Sequence, residues 1–183
     1  YHSCEAYIAR LVKKGYKVAI CEQMENPALA KGVVKREVVR VVTPGTVIEN
    51  SMLDEASNNF ICCAYLDTYA CGLSFGDIST GEVYVTELST DEVEYKIMNE
   101  SGRFSPSEVV ANHTLAEQKQ VIQFFKDKLN CMYDVLDDGY FEEESCKTRA
   151  TSQFADTDLE KLGLFEKKAA LKSLGGLIRY LYD

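Results

Sequence analysis

The stretch "NFICCAYLD" (Asn59–Asp67) carries the clearest structural signal in the chain. Phe60 to Leu66 is an unbroken apolar run, too short for a helix and rich in residues that pack on a pleated surface. It predicts a strand covered on both faces. Two more apolar stretches follow, "YACGLSFGDIS" (Tyr69–Ser79) and "GEVYVTEL" (Gly81–Leu88). Ser79-Thr80-Gly81 separates them, so the pattern predicts three antiparallel strands joined by tight turns.

Downstream, helical and strand patterns alternate. Ser89-x-x-Glu92 fits a capping box, opening a helix that Gly102 can end. "SEVVAN" (Ser107–Asn112) reads as a short strand. "LAEQKQVIQFFKDKL" (Leu115–Leu129) reads as one amphipathic helix with Val121, Phe124, Phe125 and Leu129 inward. "CMYDVL" (Cys131–Leu136) reads as another strand. Residues 142–154 carry a weak helical pattern. "EKKAALKSLGGLIRYLYD" (Glu166–Asp183) is a helix with Ala170, Leu174, Leu177, Ile178 and Leu181 on one stripe. Gly175-Gly176 costs it about 1–2 kcal/mol of propensity, which a close approach to the sheet would explain. Right-handed crossovers place the later strands parallel to the first. Three antiparallel strands followed by αβαβα is the order of the ribonuclease H-like α/β fold.

Upstream of Asn59 the pattern differs. "CEAYIARLVKKGY" (Cys4–Tyr16) puts Tyr7, Ile8, Leu11 and Val12 on one helical face, with Lys13 and Lys14 in the last turn and Gly15 as a stop. "KVAICEQ" (Lys17–Gln23) predicts a short buried strand. Pro27 opens a loop or short helical piece. "KREVVRVVTPGTV" (Lys35–Val47) supplies a second strand over Glu37–Val42, closed by Pro44-Gly45. Helix–strand–loop–strand buries little core alone, so this part reads as the tail of a larger α/β domain. Residues 44–58 lack periodicity and read as a connection. The predicted organisation is residues 1–45 as the partial α/β domain, 46–57 as linker and 58–183 as the ribonuclease H-like domain.

The chain has 183 residues and a net charge of −9. Residues 1–50 carry 8 Lys/Arg against 5 Asp/Glu, and the remainder carries 12 against 24. The acidic block repels phosphate backbones, so any nucleic-acid contact falls to the first part. Its candidates are Lys13, Lys14, Lys17, Lys35 and Arg36. The seven cysteines form no C-x-x-C, and Cys62 and Cys63 point to opposite faces of one strand, so reduced, packed thiols are expected. No run is long enough to span a bilayer and no secretory pattern opens the chain, so the expected location is cytoplasmic with no membrane partner. There is no G-x-x-x-x-G-K-[ST] phosphate loop.

The fold order raises one catalytic alternative, a metal-dependent nuclease. Its carboxylates would come from Asp67, Asp77, Glu82 and Asp134, which must converge on a metal pair. The first strand, where that fold needs its first carboxylate, offers only Phe60, Ile61, Cys62, Cys63 and Ala64. The two histidines, His2 and His113, suggest no catalytic pair. Neither a catalytic nor a metal site is expected.

Tyr1-His2, Tyr7, Leu11-Val12, Val18 to Gln23, Pro27, Lys31-Gly32 and Arg36 to Thr46, in that order, resemble the end of the mismatch-binding domain of the bacterial DNA mismatch repair MutS family. "GLSFGDISTGEV" (Gly72–Val83) and "LGGLIRYL" (Leu174–Leu181) are similar to the same family's connector domain. The resemblance implies that residues 58–183 are a connector, ribonuclease H-like without nuclease activity. It also implies a parent that binds mismatched double-stranded DNA, uses ATP and Mg²⁺, forms a homodimer and docks MutL. The connector's implied role is non-catalytic coupling and partner docking. The family's mismatch-reading Phe-x-Glu does not occur in residues 1–45. Phe141-Glu142-Glu143 spells it, but far downstream, and is read as coincidence. No ATP-binding or mismatch-reading residue is carried over, and no cofactor is expected in this part. The segment around Lys147, Thr148 and Arg149, weakly patterned and polar, is the candidate partner-docking surface.

Overall fold

The computed structural model describes residues 2–28, 32–47 and 58–183. It contains two sheets. The larger is five-stranded in the order β5-β4-β3-β6-β7. Its strands are β3 (Phe60–Leu66), β4 (Ala70–Asp77), β5 (Glu82–Ser89), β6 (Glu108–Ala111) and β7 (Met132–Val135). β3 pairs antiparallel with β4, which pairs antiparallel with β5. On its other side β3 pairs parallel with β6, and β6 with β7. This is the strand order and direction that the sequence predicts.

Helices cover both faces, as the unbroken apolar run of β3 requires. Phe60, Cys62, Ala64 and Leu66 face a core shared with Leu73, Phe75, Ile97 and Phe125. That side is covered by α2 (Val93–Phe104), α3 (His113–Ala116) and α4 (Lys119–Asp127). Ile61 and Cys63 face Val110, Phe141 and Leu177 on the opposite side, under α5 (Glu143–Gln153) and α6 (Lys168–Tyr182). The adjacent cysteines therefore part to opposite faces. Burial pushes the thiols of Cys62, Cys63 and Cys71 up, which leaves them as inert packing groups.

The alternation within β4 sets how close α6 lies. Cys71, Leu73 and Phe75 fill the first core, whereas Gly72, Ser74 and Gly76 face α6. A Cβ on Gly72 would stand 1.9 Å from the Ala169 carbonyl oxygen. Ser74 and Ser173 hydroxyls meet at 2.7 Å. The Gly175-Gly176 pair answers the same demand in two directions. A Cβ on Gly176 would meet Phe141 and the Cys63 sulfur, and one on Gly175 would meet Cys146 of α5. Close approach thus involves a neighbouring helix as well as the sheet. Leu181, placed on the buried stripe by spacing, is 37% exposed near the chain end.

Three local expectations are corrected. Ser89 is the last residue of β5, so it cannot cap α2; Glu92 takes the N-cap position with φ 50° and no side-chain cap bond. Gly102 lies inside α2, which ends at Ser105 (φ 46°), whose N–H donates to the Ser101 carbonyl at 2.8 Å. The single helix expected over Leu115–Leu129 is two, α3 and α4, broken at Glu117-Gln118. Asn112 starts the first of these, accepting from Leu115 N–H while its amide bonds both the N–H and the carbonyl of Leu66.

Residues 2–47 form a smaller unit. α1 (His2–Val12) packs Ile8 and Val12 on Val42 and Val47, with Val18 and Ile20 at the margin. β1 (Val18–Gln23) pairs antiparallel with β2 (Arg36–Val42) as the smaller sheet. "KVAICEQ" is a strand but not a buried one: most of it is exposed, because α1 covers only one end of a two-stranded sheet. Tyr7 and Leu11 are likewise exposed. Residues 29–31 after Pro27, and 48–57 of the predicted connection, lie outside the described residues.

Candidate functional site: a polar joint between the two units

The apolar core of the small unit is a cluster separate from those of the five-stranded sheet. What crosses between the units is polar. β2 ends in a turn over Thr43–Thr46, closed by the Thr43 N–H donating to Thr46 Oγ1 at 2.9 Å. The turn presents two donors to one carboxylate: Thr43 Oγ1 donates to Glu108 Oε2 at 2.5 Å, and the Gly45 N–H donates to the same oxygen at 2.8 Å. The other oxygen, Oε1, accepts from the Tyr180 hydroxyl of α6 at 2.5 Å.

Glu108 is fully buried. It opens β6, between Ile61 of β3 and Met132 of β7, and shares the α6-facing side with Val110. A buried carboxylate is costly unless its lone pairs are satisfied; here three donors from two units do so. Burial, then the neighbouring Glu108 charge, push the Tyr180 phenol well above its ordinary value, which keeps it a donor. Gly45 has no room for a side chain: a Cβ would lie 2.8 Å from Ile61 Cβ and 2.9 Å from Glu108 Oε2.

Two further contacts frame the joint. Asn59 Nδ2 donates to the Pro44 carbonyl at 2.8 Å, while its N–H donates to Asp77 Oδ2 at 3.0 Å. Asp77 is 2% exposed and also accepts from the N–H and hydroxyl of Ser79. Burial raises its carboxyl, but the bonds from Ser79, Asn59 and Thr80 outweigh that and hold it below its ordinary value. On the other side Lys17 pairs with Asp134 at 2.6 Å and lies over the Tyr180 ring, 5.3 Å from its centroid.

The sequence-predicted cations divide. Lys13 and Lys14 follow α1 and are exposed; Lys17 is engaged with Asp134. Lys35 pairs with Glu37 at 2.6 Å. Arg36 sits opposite Gln23, and Val18 opposite Val42, so Lys35 and Arg36 lie at the far end of the hairpin, about 17 Å of strand away from Lys17. Of the docking candidates, Lys147 is exposed over Phe165, 4.9 Å from its centroid, at the rim of a cavity of about 490 Å³. The Thr148 hydroxyl donates to the Glu144 carbonyl. Arg149 turns inward, donating to the carbonyls of Tyr140 at 3.0 Å and Gly175 at 3.3 Å. It braces α5 against α6.

The four nuclease carboxylates do not converge, although Asp77 and Glu82 stand opposite one another on β4 and β5. Asp67 closes the β3–β4 turn by accepting from the N–H groups of Tyr69 and Ala70. Asp77 is at the opposite end of β4, about 24 Å away along the strand. Asp134 is engaged by Lys17 and Glu82 by Asn58. Among the described residues no three Asp, Glu, His or Cys side chains are grouped as a metal site needs. His113 opens α3; the His2 side chain lies outside the described residues. Phe141 is core, and Glu142 caps α5 by accepting from Glu144 and Ser145, so that Phe-Glu-Glu is structural.

Residues 59–183 match the family described as MutS domain II. The chain belongs to the MutS family. Residues 1–51 match MutS domain I, so the joint falls between the two MutS domains, Thr43 and Gly45 in the first and Glu108 and Tyr180 in the second. A DNA mismatch repair protein MutS of Halothermothrix orenii is 42% identical over 183 residues, all of this chain and 20% of its own length. The MutS of Caldanaerobacter subterraneus subsp. tengcongensis is 41% identical, with 100% and 21% covered. That of Lachnoclostridium phytofermentans is 38% identical, with 100% and 19% covered. The chain spans about a fifth of the length of the curated relatives it matches. Neither these MutS relatives nor the geometry supports the nuclease alternative.

Glu108, Thr43, Tyr180 and Asn59 were not legible as site residues. The available signal was a glutamate opening an otherwise apolar strand, which reads equally well as a solvated strand end.

Proposed function

We propose that this part of a mismatch repair protein is a non-catalytic coupling module, transmitting the position of the mismatch-binding unit to the connector and onward. The observation that carries the reading is Glu108. It joins two separately packed units through one buried carboxylate with donors from both. Polar inter-domain contacts permit rearrangement that a continuous apolar core would resist. In this reading the longer protein binds mismatched double-stranded DNA, responds to ATP with Mg²⁺ and is a homodimer in the cytoplasm. Lys13, Lys14, Lys17, Lys35 and Arg36 contribute phosphate contacts, with Lys17 and Lys35 first leaving their carboxylate partners.

The test replaces Glu108 with Ala in the longer mismatch repair protein carrying this sequence. Static affinity for a mismatched duplex should hold, while the ATP-driven change of the DNA complex is lost or slowed. An unaltered response to ATP would remove Glu108 from the coupling.

Partner docking is assigned to Lys147 and Thr148 with the aromatic cavity beside them, MutL being the partner. Arg149 contributes by holding α5 in place. Lys147→Glu should weaken MutL binding and lower stability by no more than the exposed cation–π contact with Phe165 that it removes, about 0.5–1 kcal/mol. Arg149→Glu should lower stability by about 2 kcal/mol, from charged hydrogen bonds lost to two carbonyls. Undiminished MutL affinity in Lys147→Glu would move the docking surface elsewhere.

A further inference from the structure

Beside the joint, on the α4 side of the sheet, a cleft of about 1190 Å³ separates the two units. One wall carries Lys13 and Lys14, the other Lys126. Among the described residues lining it none is Asp or Glu, in a chain with 29 acidic residues against 20 Lys and Arg; residues 48–57, which join the lining residues Val47 and Asn58, lie outside the described residues. No ion pair engages these three lysines among the described residues; Lys126 lies over the Tyr133 ring at 5.9 Å. Asn59, Ser105 and Asn130 add polar groups to the lining.

We propose that this cleft holds the phosphodiester backbone of a single nucleic-acid strand, gripped from both units at once. Cations on both walls, with no carboxylate among the described lining residues, favour a polyanion. Its volume exceeds that of pockets that enclose one small molecule, about 300–1,000 Å³. Single strands are bound without sequence preference by a cationic groove that tracks the backbone beside aromatic rings on which bases stack; the lysines supply the first, and Tyr133 supplies a ring in the described lining. A strand lying there contacts Lys13 and Lys14 of the small unit and Lys126 of the sheet domain, and so fixes their relative position. The inference rests on the phosphate-contact reading for Lys13 and Lys14 and adds Lys126, which that reading does not include.

The experiment measures anisotropy of a fluorescein-labelled 12-nucleotide oligothymidylate with the whole chain across a salt series. Lys126→Glu should weaken binding about threefold or more at low salt and reduce the log–log salt slope by about 0.7, one phosphate contact fewer. Lys128→Glu, exposed on the same helix end but outside the cleft, should bind as the parent does. Lys126→Gln serves if charge reversal disturbs folding by circular dichroism. Unchanged binding in both Lys126 variants, with loss in Lys13→Glu and Lys14→Glu, would overturn the cleft and leave the phosphate-contact reading standing. Loss in none of them would overturn both. Equal competition by a polyglutamate of the same charge would overturn the phosphodiester assignment in favour of an acidic polypeptide.

Discussion

Replacing Glu108 with Gln tests the joint with the smallest change of shape. The amide keeps one oxygen, which can face Thr43 and Gly45, and turns its NH₂ toward Tyr180, whose hydroxyl can rotate to accept. All three bonds can thus persist, but as neutral ones. Hydrogen bonds to a charged group contribute about 1.5–3 kcal/mol against about 0.5–1.5 for neutral pairs, so three exchanged bonds lose about 3 kcal/mol. Relief of the carboxylate's desolvation returns part of this, leaving a net loss of about 2–3 kcal/mol. The Gly45 N–H reports it directly, because Glu108 Oε2 is its acceptor. Hydrogen exchange at that amide should accelerate about 30- to 160-fold, one decade per 1.4 kcal/mol. The Thr43 N–H, held by Thr46 within the turn, should lose less if the turn survives detachment. Unchanged exchange at Gly45 would refute the assignment of Glu108 as the group that holds the units together.

Other outcomes follow from the packing and charges. Gly72→Ala places a methyl 1.9 Å from a main-chain oxygen of α6 and displaces Ala169 and Ala170 N–H groups from the Glu87 carboxylate that binds both; urea unfolding should show a loss of about 3–6 kcal/mol. Gly102→Ala, the same chemical change at a position where the new Cβ meets Phe124 at an ordinary 3.6 Å, should instead stabilise by about 0.5–1 kcal/mol through helix propensity. Asp77, held below its ordinary value, contributes stability that is full above the unfolded carboxyl's range and is lost as pH falls through the lowered folded value. The destabilisation of Asp77→Asn, about 1–2 kcal/mol at pH 7, should therefore shrink below about pH 4 in acid-dependent urea melts. Tyr133 buries its hydroxyl without a hydrogen-bond partner among the described residues, and Tyr133→Phe should be neutral or stabilising by about 1 kcal/mol in the same assay.

The sheet domain was legible because its signals are local and redundant. The apolar run of β3 is longer than one face needs, so burial on both sides was forced, and strand directions followed from the crossovers. The large–small alternation of "ACGLSFG" was present too, yet its meaning appears only when α6 is laid across Gly72 and Ser74. Errors fell where two local rules competed. Ser89-x-x-Glu92 had the capping spacing, but pairing with β4 holds Ser89 in a strand. "KVAICEQ" had strand composition, but how much of it is covered depends on neighbours that spacing does not reveal. The joint was illegible for a different reason. A glutamate that is solvated and one that accepts three bonds in a core are the same letter, and Thr43 and Tyr180 lie 65 and 72 residues from it.

In this reading Glu108 sets how the two units stand relative to one another. Cys21 is exposed on the small unit, and five other cysteines are buried, so a Cys4→Ser, Asp127→Cys chain takes one spin label on each unit. The distance distribution by electron double resonance should be single and narrow with Glu108 present, and should broaden or split in the Glu108→Ala chain. Distributions of equal width and centre in both chains would contradict the account.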